Sequence, residues 1–176
     1  MPVSVTAAAD ADLDELAEVA AATFPLACPP TSPPEDVAAF IAAHLTRRRF
    51  ADYLADPSRV VLAARDDDRI LGYAILVRGV GDDPDVALAV TTRPAVELSK
   101  MYVLADLHGA GVSAALMDVA VRSAAETGAR CVWLGVNQKN LRAQRFYSKH
   151  GFQVAGARTF RLGAHTEHDF VMVRPL

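Results

Sequence analysis

The stretch Met101-Tyr102-Val103-Leu104-Ala105-Asp106-Leu107-His108-Gly109-Ala110-Gly111-Val112-Ser113 passes from an apolar, strand-like segment through a glycine-containing turn into a helix. Small residues let the backbone approach a ligand closely. A helix N-terminus adds unpaired N–H groups and the positive end of the helix dipole. The stretch therefore predicts a phosphate or pyrophosphate site. The apolar face of the following helix is predicted to comprise Val112, Ala115, Leu116, Val119 and Ala120.

Two familiar phosphate-binding turns are excluded by the residues of this stretch. No Lys-Ser/Thr pair follows the glycines, so the turn is not a P-loop, and the third glycine of the dinucleotide fingerprint is missing. Two glycines before a helix are also typical of a plain tight turn. From this stretch alone, both interpretations stay open.

A second stretch downstream favours the phosphate-binding interpretation of the turn over the plain tight turn. It contains Val132-Trp133-Leu134-Gly135-Val136, followed by Asn140, Ala143, Arg145-Phe146-Tyr147, Lys149 and Gly151-Phe152. Together, the two stretches resemble the GNAT superfamily of N-acetyltransferases over roughly residues 60–160. The family turn reads Gln/Arg-x-x-Gly-x-Gly/Ala. In this sequence Gly111 fits the pattern, while His108 and Ser113 depart from it.

The resemblance implies a single mixed α/β domain over residues 1–176, with a central, mostly antiparallel twisted sheet of about 6–7 strands flanked by helices. Several local patterns add detail. Asp12, with Glu15 three residues later, predicts an N-cap and capping box for the first helix. The proline-rich segment 25–34 is predicted to be a loop, and a short strand is expected at 86–90.

The resemblance also implies acetyl-CoA as cosubstrate, gripped at its pyrophosphate by the first stretch and beside its pantetheine arm by the second. Backbone N–H groups of the strand at 101–103 are candidates to hold the thioester carbonyl. The candidate coenzyme-binding residues are Met101, Tyr102, Val103, His108, Gly109, Ala110, Gly111, Val112, Ser113, Asn140, Phe146 and Lys149. For Asn140, contact with the coenzyme and capping of its own helix are compatible.

Two residues are candidates for acid–base chemistry. In the family, a Tyr at the place of Tyr147 commonly protonates the departing thiolate; the alternative is a half-buried packing residue. Glu97 begins the strand that leads to Met101 and is the candidate general base. The alternative for Glu97 is a solvated carboxylate at a strand end.

The acceptor is the least determined part of the hypothesis. The C-terminal segments 159–163 and 169–176 resemble bacterial PaiA-type polyamine acetyltransferases, which implies spermidine or spermine as candidate small-molecule amines. Asp82, Asp83 and Asp85 are candidates to contact a cationic acceptor, although a polar loop is the alternative. A peptide, protein or antibiotic acceptor stays open, as does a non-catalytic acyl-CoA-binding regulatory domain.

Composition limits the location and the partners that we expect for the protein. The chain has 176 residues, 52% hydrophobic residues, two cysteines and a formal net charge of −3. The charge argues against nucleic acid as the main partner. No apolar run has the length of a membrane helix, and we expect a cytoplasmic protein. No metal-ligand constellation is evident among the scattered histidines. A homodimer is expected only from the family resemblance.

Overall fold

A computed structural model describes residues 2–176, except for the side chain of residue 160. Residue 1, the first of the predicted domain, lies outside the described residues. A seven-stranded sheet has the order β1-β2-β3-β4-β5-β7-β6, with every neighbouring pair antiparallel except the parallel pair β4–β5. The strands are β1 (Ser4–Ala7), β2 (Arg59–Asp66), β3 (Arg69–Arg78), β4 (Ala95–Val103), β5 (Cys131–Asn137), β6 (Gln153–Leu162) and β7 (His165–Pro175). The predicted mixed α/β fold is confirmed.

Helices cover both faces of this sheet. They are α1 (Leu13–Ala27), α2 (Pro34–His44), α3 (Arg47–Ala55), α4 (Pro84–Ala89), α5 (Val112–Glu126) and α6 (Leu141–Lys149). None of the helices among residues 2–176 combines the length and the apolar character needed to cross a membrane.

The two faces of the sheet bury separate apolar clusters. Helix α5 places Val112, Leu116 and Ala120 against one face. Because these residues recur at helical spacing, they form one stripe. On the other face, α1 and α3 pack against β2 and β3 around the fully buried Phe50 and Tyr73. The sheet therefore forms one wall of the space between itself and α1.

The segment predicted as a strand at 86–90 is instead helix α4. Asp83 caps it by accepting a hydrogen bond from the Asp85 N–H at 2.9 Å, and Pro84 occupies its first turn. Val86 and Val90, one helical turn apart, are buried in the cluster that contains Trp133. The predicted strand is wrong: Asp83 and Pro84 are start signals for a helix, and they determine the structure of the apolar run that follows them.

Two other local predictions were wrong in detail. Asp12 does not cap α1 with its side chain; its carboxylate accepts hydrogen bonds from the Ala9 N–H at 2.8 Å and from Arg65 at 2.6 Å. Glu15 accepts from the Ile70 N–H instead of closing a capping box. Helix α1 also continues through Pro25 to Ala27, and α2 begins at Pro34, so the connecting loop is shorter than predicted.

Candidate active site

Strands β4 and β5 form a V-shaped gap. They pair only through Ala95–Glu97 and Cys131–Trp133. Beyond that point β4 continues with β3 alone, and β5 with β7 alone. A register shift between β3 and β4 also leaves Ser99 without a partner residue, because Leu98 pairs with Leu76 and Lys100 with Ile75. The edge of β4 that faces the gap therefore offers backbone polar groups that no strand satisfies.

A cavity of about 750 Å³ crosses this gap. It begins at the glycine turn, passes β4 and α6, and ends between β4, α1 and the β6–β7 hairpin. We call this far end the acceptor end. The predicted residues that line the cavity are Met101, Tyr102, Val103, His108, Gly109, Gly111, Ser113, Asn140, Phe146, Tyr147 and Lys149.

The glycine turn has the features of an anion cradle. Gly111 is the N-cap of α5 with φ 86°, a left-handed conformation that favours glycine. The cap makes no side-chain hydrogen bond, so the N–H groups of the first turn stay available. A Cβ added at Gly109 or Gly111 would meet nothing within 4 Å, so the cradle is open. This donor set fits a pyrophosphate.

Three predicted residues of the turn differ in whether their side chains reach the cavity. The His108 ring lines the cavity, and its Nε2 donates to the Val103 carbonyl at 2.9 Å, which ties the turn to the end of β4. Val112 is buried in the core and Ala110 does not line the cavity. Only backbone groups of Val112 are therefore available to a ligand.

Helix α6 forms the wall of the cavity next to the turn. Its N-cap Asn140 accepts a hydrogen bond from the Ala143 N–H at 3.1 Å and also lines the cavity. Phe146 and Tyr147 come next, with ring centroids 5.5 Å apart. Burial raises the pKa of Tyr147 to about 12, so its hydroxyl keeps its proton at neutral pH.

Tyr102 lines the cavity. Its ring contacts Phe24 edge-on at 6.3 Å and Tyr73 at 5.9 Å. Burial is the main cause that raises the pKa of Tyr102, and neighbouring Tyr147 and Asp169 add to it. Tyr102 therefore lies near both Tyr147 and Asp169.

The acceptor end contains charged side chains that the sequence did not indicate. Lys100 lies on β4, Arg158 on β6, and Glu167 and Asp169 on β7, and all four line the cavity. Arg158 donates through Nε to Asp169 at 3.4 Å, across the β6–β7 register. Burial is the first cause that raises the pKa of Asp169. No local motif carries these positions; the β6–β7 register brings Arg158 opposite Asp169, and Lys100 comes from a separate strand.

Glu97 does not line the cavity. It lies at the apex of the V, on the same sheet face as Lys100 and Tyr102, because its partner Val77 shares a face with Ile75 and Tyr73. Burial raises the pKa of the Glu97 carboxyl, while Arg158 and Lys100 oppose this shift. Glu97 is thus a partly buried carboxylate close to the acceptor end, and not the solvated strand end that was the alternative.

Three acidic candidates lie outside the cavity lining, and one cysteine lies within it. Asp82, Asp83 and Asp85 do not line the cavity, and Asp83 is occupied in capping α4. Cys28 lines the cavity, but burial raises the pKa of its thiol to about 11. Among the described residues, no group of three or more His, Cys, Asp or Glu side chains is arranged to hold a metal ion.

Comparisons with known proteins agree with this geometry. Residues 14–152 match the Acetyltransferase (GNAT) family. The chain is 59% identical over 165 residues to an uncharacterized N-acetyltransferase of Mycobacterium tuberculosis, which covers 94% of this chain and 98% of that protein.

Solved structures show the same fold. The PaiA N-acetyltransferase from Thermoplasma acidophilum, in complex with coenzyme A, superposes with a TM-score of 0.78 at 18% identity and covers 100% of both chains. A GCN5-related N-acetyltransferase from Rhodopseudomonas palustris gives 0.75 at 18% identity, covering 100% of this chain and 97% of its own. At these identities the likeness shows the fold alone. The family match and the close relative carry the assignment: the chain belongs to the acetyltransferase (GNAT) family and is an acetyl-CoA-dependent N-acetyltransferase.

Proposed function

We propose that the enzyme transfers the acetyl group of acetyl-CoA to a primary amine of a small molecule, by direct attack while both substrates are bound. The observation that carries this proposal is the continuous cavity through the V-shaped gap, with the anion cradle at one end and a charged pocket at the other. Such a cavity holds two reactants side by side, which makes the reaction effectively unimolecular.

Direct attack is favoured because the cysteines are poor nucleophiles. Cys28 lines the cavity, but its thiol has a pKa raised to about 11 and donates to the Phe24 carbonyl at 3.5 Å. Cys131 is fully buried outside the cavity lining. A covalent acetyl-enzyme would need a thiolate, which neither environment supports.

When bound, acetyl-CoA supplies an acetyl group activated as a thioester. The α5 N-terminus would hold its pyrophosphate, and the unpaired backbone of β4 beyond Leu98 would donate to the thioester carbonyl. N–H donors fixed in a strand need no reorganisation as negative charge develops on that oxygen. This extends the predicted donor segment at 101–103 by the unpartnered Ser99.

Tyr147 is our candidate for the general acid that protonates the coenzyme thiolate. Tyr147 lines the cavity, and its hydroxyl makes no hydrogen bond with any described residue. With a pKa of about 12, it is protonated throughout the neutral range. A positioned acid of this kind contributes about 10²- to 10⁴-fold to the rate.

The acceptor amine must lose a proton before it attacks. An ordinary lysine-like amine has a pKa of ~10.4, so only about one molecule in a thousand is neutral at neutral pH. We propose Glu97 as the base, acting through a water because its carboxylate lies outside the cavity lining. A carboxylate with a raised pKa is better matched to this task than an ordinary one.

The acceptor is proposed to be small because Phe24 of α1 and Phe40 of α2, with Cys28 between the two helices, form one wall of the acceptor end. Polyamines are one class to test first, because the C-terminal segments 159–163 and 169–176 resemble PaiA-type enzymes.

The test is release of coenzyme A from acetyl-CoA with purified protein and a panel of amines. The panel contains polyamines, amino acids, lysine-bearing peptides and aminoglycosides, and acetyl-CoA binding is followed separately by the rise in melting temperature. We expect saturable release with one small-amine class. Release with peptides alone would replace the small acceptor. Binding without any release would favour the regulatory acyl-CoA-binding domain.

A further inference from the structure

The acceptor end contains a cation whose hydrogen-bonding capacity is mostly unused. The Arg158 guanidinium lies 5.6 Å from the centroid of the Trp133 ring, and its side chain is only 19% exposed. Among the described residues, Arg158 donates a hydrogen bond only to Asp169, through Nε. The Nη groups make no hydrogen bond with the described residues, and Arg158 lines the cavity. Two N–H donor groups of this arginine are therefore available to a ligand.

Lys100 is a second cation at the same end. It lines the cavity and forms no salt bridge with any residue that the structure describes. Burial lowers the pKa of Lys100, Arg59 and Arg158 lower it further, and Glu97 opposes this. A partly buried ammonium without a direct partner costs stability, so an anion brought by the ligand would relieve that cost.

The carboxylates of the cavity lie beside these cations. Asp169 pairs with Arg158, and Glu167 accepts from the Asn137 side chain at 3.3 Å. Opposite charges thus share one small pocket. A ligand that matches this pocket carries both an ammonium group and an anionic group. A polyamine presents cations only and would place one of them against Lys100 or Arg158.

On the basis of the amine transfer proposed above, we infer that the acceptor carries a carboxylate in addition to its amine, held between Lys100 and the Nη groups of Arg158. Arginine binds carboxylates with two parallel hydrogen bonds, which fixes the orientation of the acceptor as well as its affinity. The substrate class is therefore an amino acid or a related amino carboxylic acid.

The test compares acceptors that differ only in the carboxylate: lysine with cadaverine, ornithine with putrescine, and each amino acid with its amide. Hydrogen bonds to charged groups predict a preference for the carboxylate of about 10- to 100-fold in kcat/KM. Lys100→Met keeps the length of the side chain and removes the charge. It is expected to lower this preference about 10-fold, while the stabilisation by coenzyme A stays intact.

Two further variants separate binding from folding. Arg122→Met removes an exposed cation from α5 and should leave the preference unchanged. In Gly135→Ala the new Cβ meets the flexible end of Arg158, so the guanidinium must move without losing its charge. This variant should lower the preference as well. A fall in melting temperature for Lys100→Met, with an unchanged preference, would assign Lys100 a structural role and overturn the inference.

The outcome for the acceptor class is distinguishable from that for the transfer reaction. If cadaverine, putrescine or spermidine react as well as the amino acids, the carboxylate inference is wrong and amine transfer stands. If no amine reacts, the carboxylate inference is tested by the binding of the acetylated products to the protein. N-acetyl-lysine that stabilises the coenzyme A-bound protein more than N-acetylcadaverine supports the carboxylate site without transfer, and equal or absent stabilisation overturns it.

Discussion

Glu97 and Trp133 are the last residues at which β4 and β5 remain paired. From this pair the two strands separate, and the resulting gap joins the anion cradle to the acceptor end. The pair is held firmly, because Trp133 is buried and donates through its indole N–H to the Gly79 carbonyl at 2.9 Å. The catalytic geometry therefore depends on where a parallel ladder stops.

The first prediction concerns the anion cradle. Ser113→Asp places a carboxylate in the first turn of α5, where its negative charge interacts favourably with the positive end of the helix dipole. Without ligand, the protein should become slightly more stable, by about 0.3–1 kcal/mol. With coenzyme A, the carboxylate would repel the pyrophosphate, and the rise in melting temperature should shrink. Thermal denaturation with and without coenzyme A measures both effects.

The neutral variant Ser113→Asn is the control for this charge effect. It changes the same position without adding charge, so it should retain most of the stabilisation by coenzyme A. Equal losses in the two variants would mean that the hydroxyl or the side-chain volume, and not the charge, affects coenzyme binding. An undiminished stabilisation in Ser113→Asp would mean that the pyrophosphate does not lie at this turn.

The second prediction concerns Tyr147. Tyr147→Phe should lower kcat by about 10²-fold or more, because the thiolate loses its acid. Binding of coenzyme A should be nearly unchanged, since the ring remains. Because the pKa of Tyr147 is about 12, the wild type should show no loss of activity from this group between neutral and mildly alkaline pH. Steady-state kinetics across pH tests both expectations.

Tyr53→Phe is the matched control. The Tyr53 hydroxyl donates to the His44 carbonyl at 2.7 Å, and Tyr53 does not line the cavity. Loss of this bond should cost about 1 kcal/mol of stability and leave kcat unchanged. Unchanged kcat in Tyr147→Phe would remove that hydroxyl from the mechanism.

The strand–turn–helix at 101–113 and the helix after Asn140 were predictable because their signals are local. Gly111 and the apolar spacing of α5 fix the turn and its helix, and Asn140 caps its helix as expected. The helix at 84–89 was missed although Asp83-Pro84 is a local start signal. The apolar run of five residues at 86–90 is compatible with either a strand or a short helix, so the run alone does not indicate which of the two forms.

The acceptor end was not predictable, because no sequence spacing connects its residues. Lys100, Arg158 and Asp169 come from three strands, and the β6–β7 register brings Arg158 opposite Asp169. The exclusion of Glu97 from the cavity lining likewise depends on the point where β4 and β5 separate. Such relations arise from pairing between distant segments, and a single sequence carries no pattern for them.

The third prediction concerns the ion pair between Asp12 and Arg65, which replaces the predicted helix cap. The pKa of Asp12 is lowered, first by the hydrogen bond from Arg65. The pair therefore stabilises the fold above the ordinary aspartate pKa, and this stability is lost as pH falls through the lowered pKa. Asp12→Asn should cost about 1–2 kcal/mol at neutral pH and little in strong acid.

Asp14→Asn is the control for this pair. Asp14 pairs with Arg47 at 2.9 Å, but its side chain is 82% exposed. An exposed pair contributes only about 0–1 kcal/mol. Urea denaturation of both variants at neutral and acid pH compares them. If both variants cost equally little at neutral pH, the Asp12 pair does not stabilise the fold.

The fourth prediction concerns Glu97, where stability and activity should change in opposite directions. Burial raises the folded-state pKa of Glu97 above its ordinary value of 4.5. The protonated form is therefore favoured in the fold, and stability is lost as pH rises from the ordinary pKa through the raised one. Glu97→Gln, which is neutral at every pH, should thus unfold less readily than the wild type at neutral pH. This difference should vanish in acid.

The same variant should be a poor enzyme. If Glu97 accepts the proton of the acceptor through a water, Glu97→Gln should lower kcat/KM by about 10²-fold and remove the carboxylate limb from the pH profile. Asp169→Asn, at the carboxylate that lines the cavity, is the comparison. A pH profile that changes in Asp169→Asn and not in Glu97→Gln would assign the base to Asp169. A more stable Glu97→Gln with full activity would leave the partly buried charge of Glu97 without a catalytic reason.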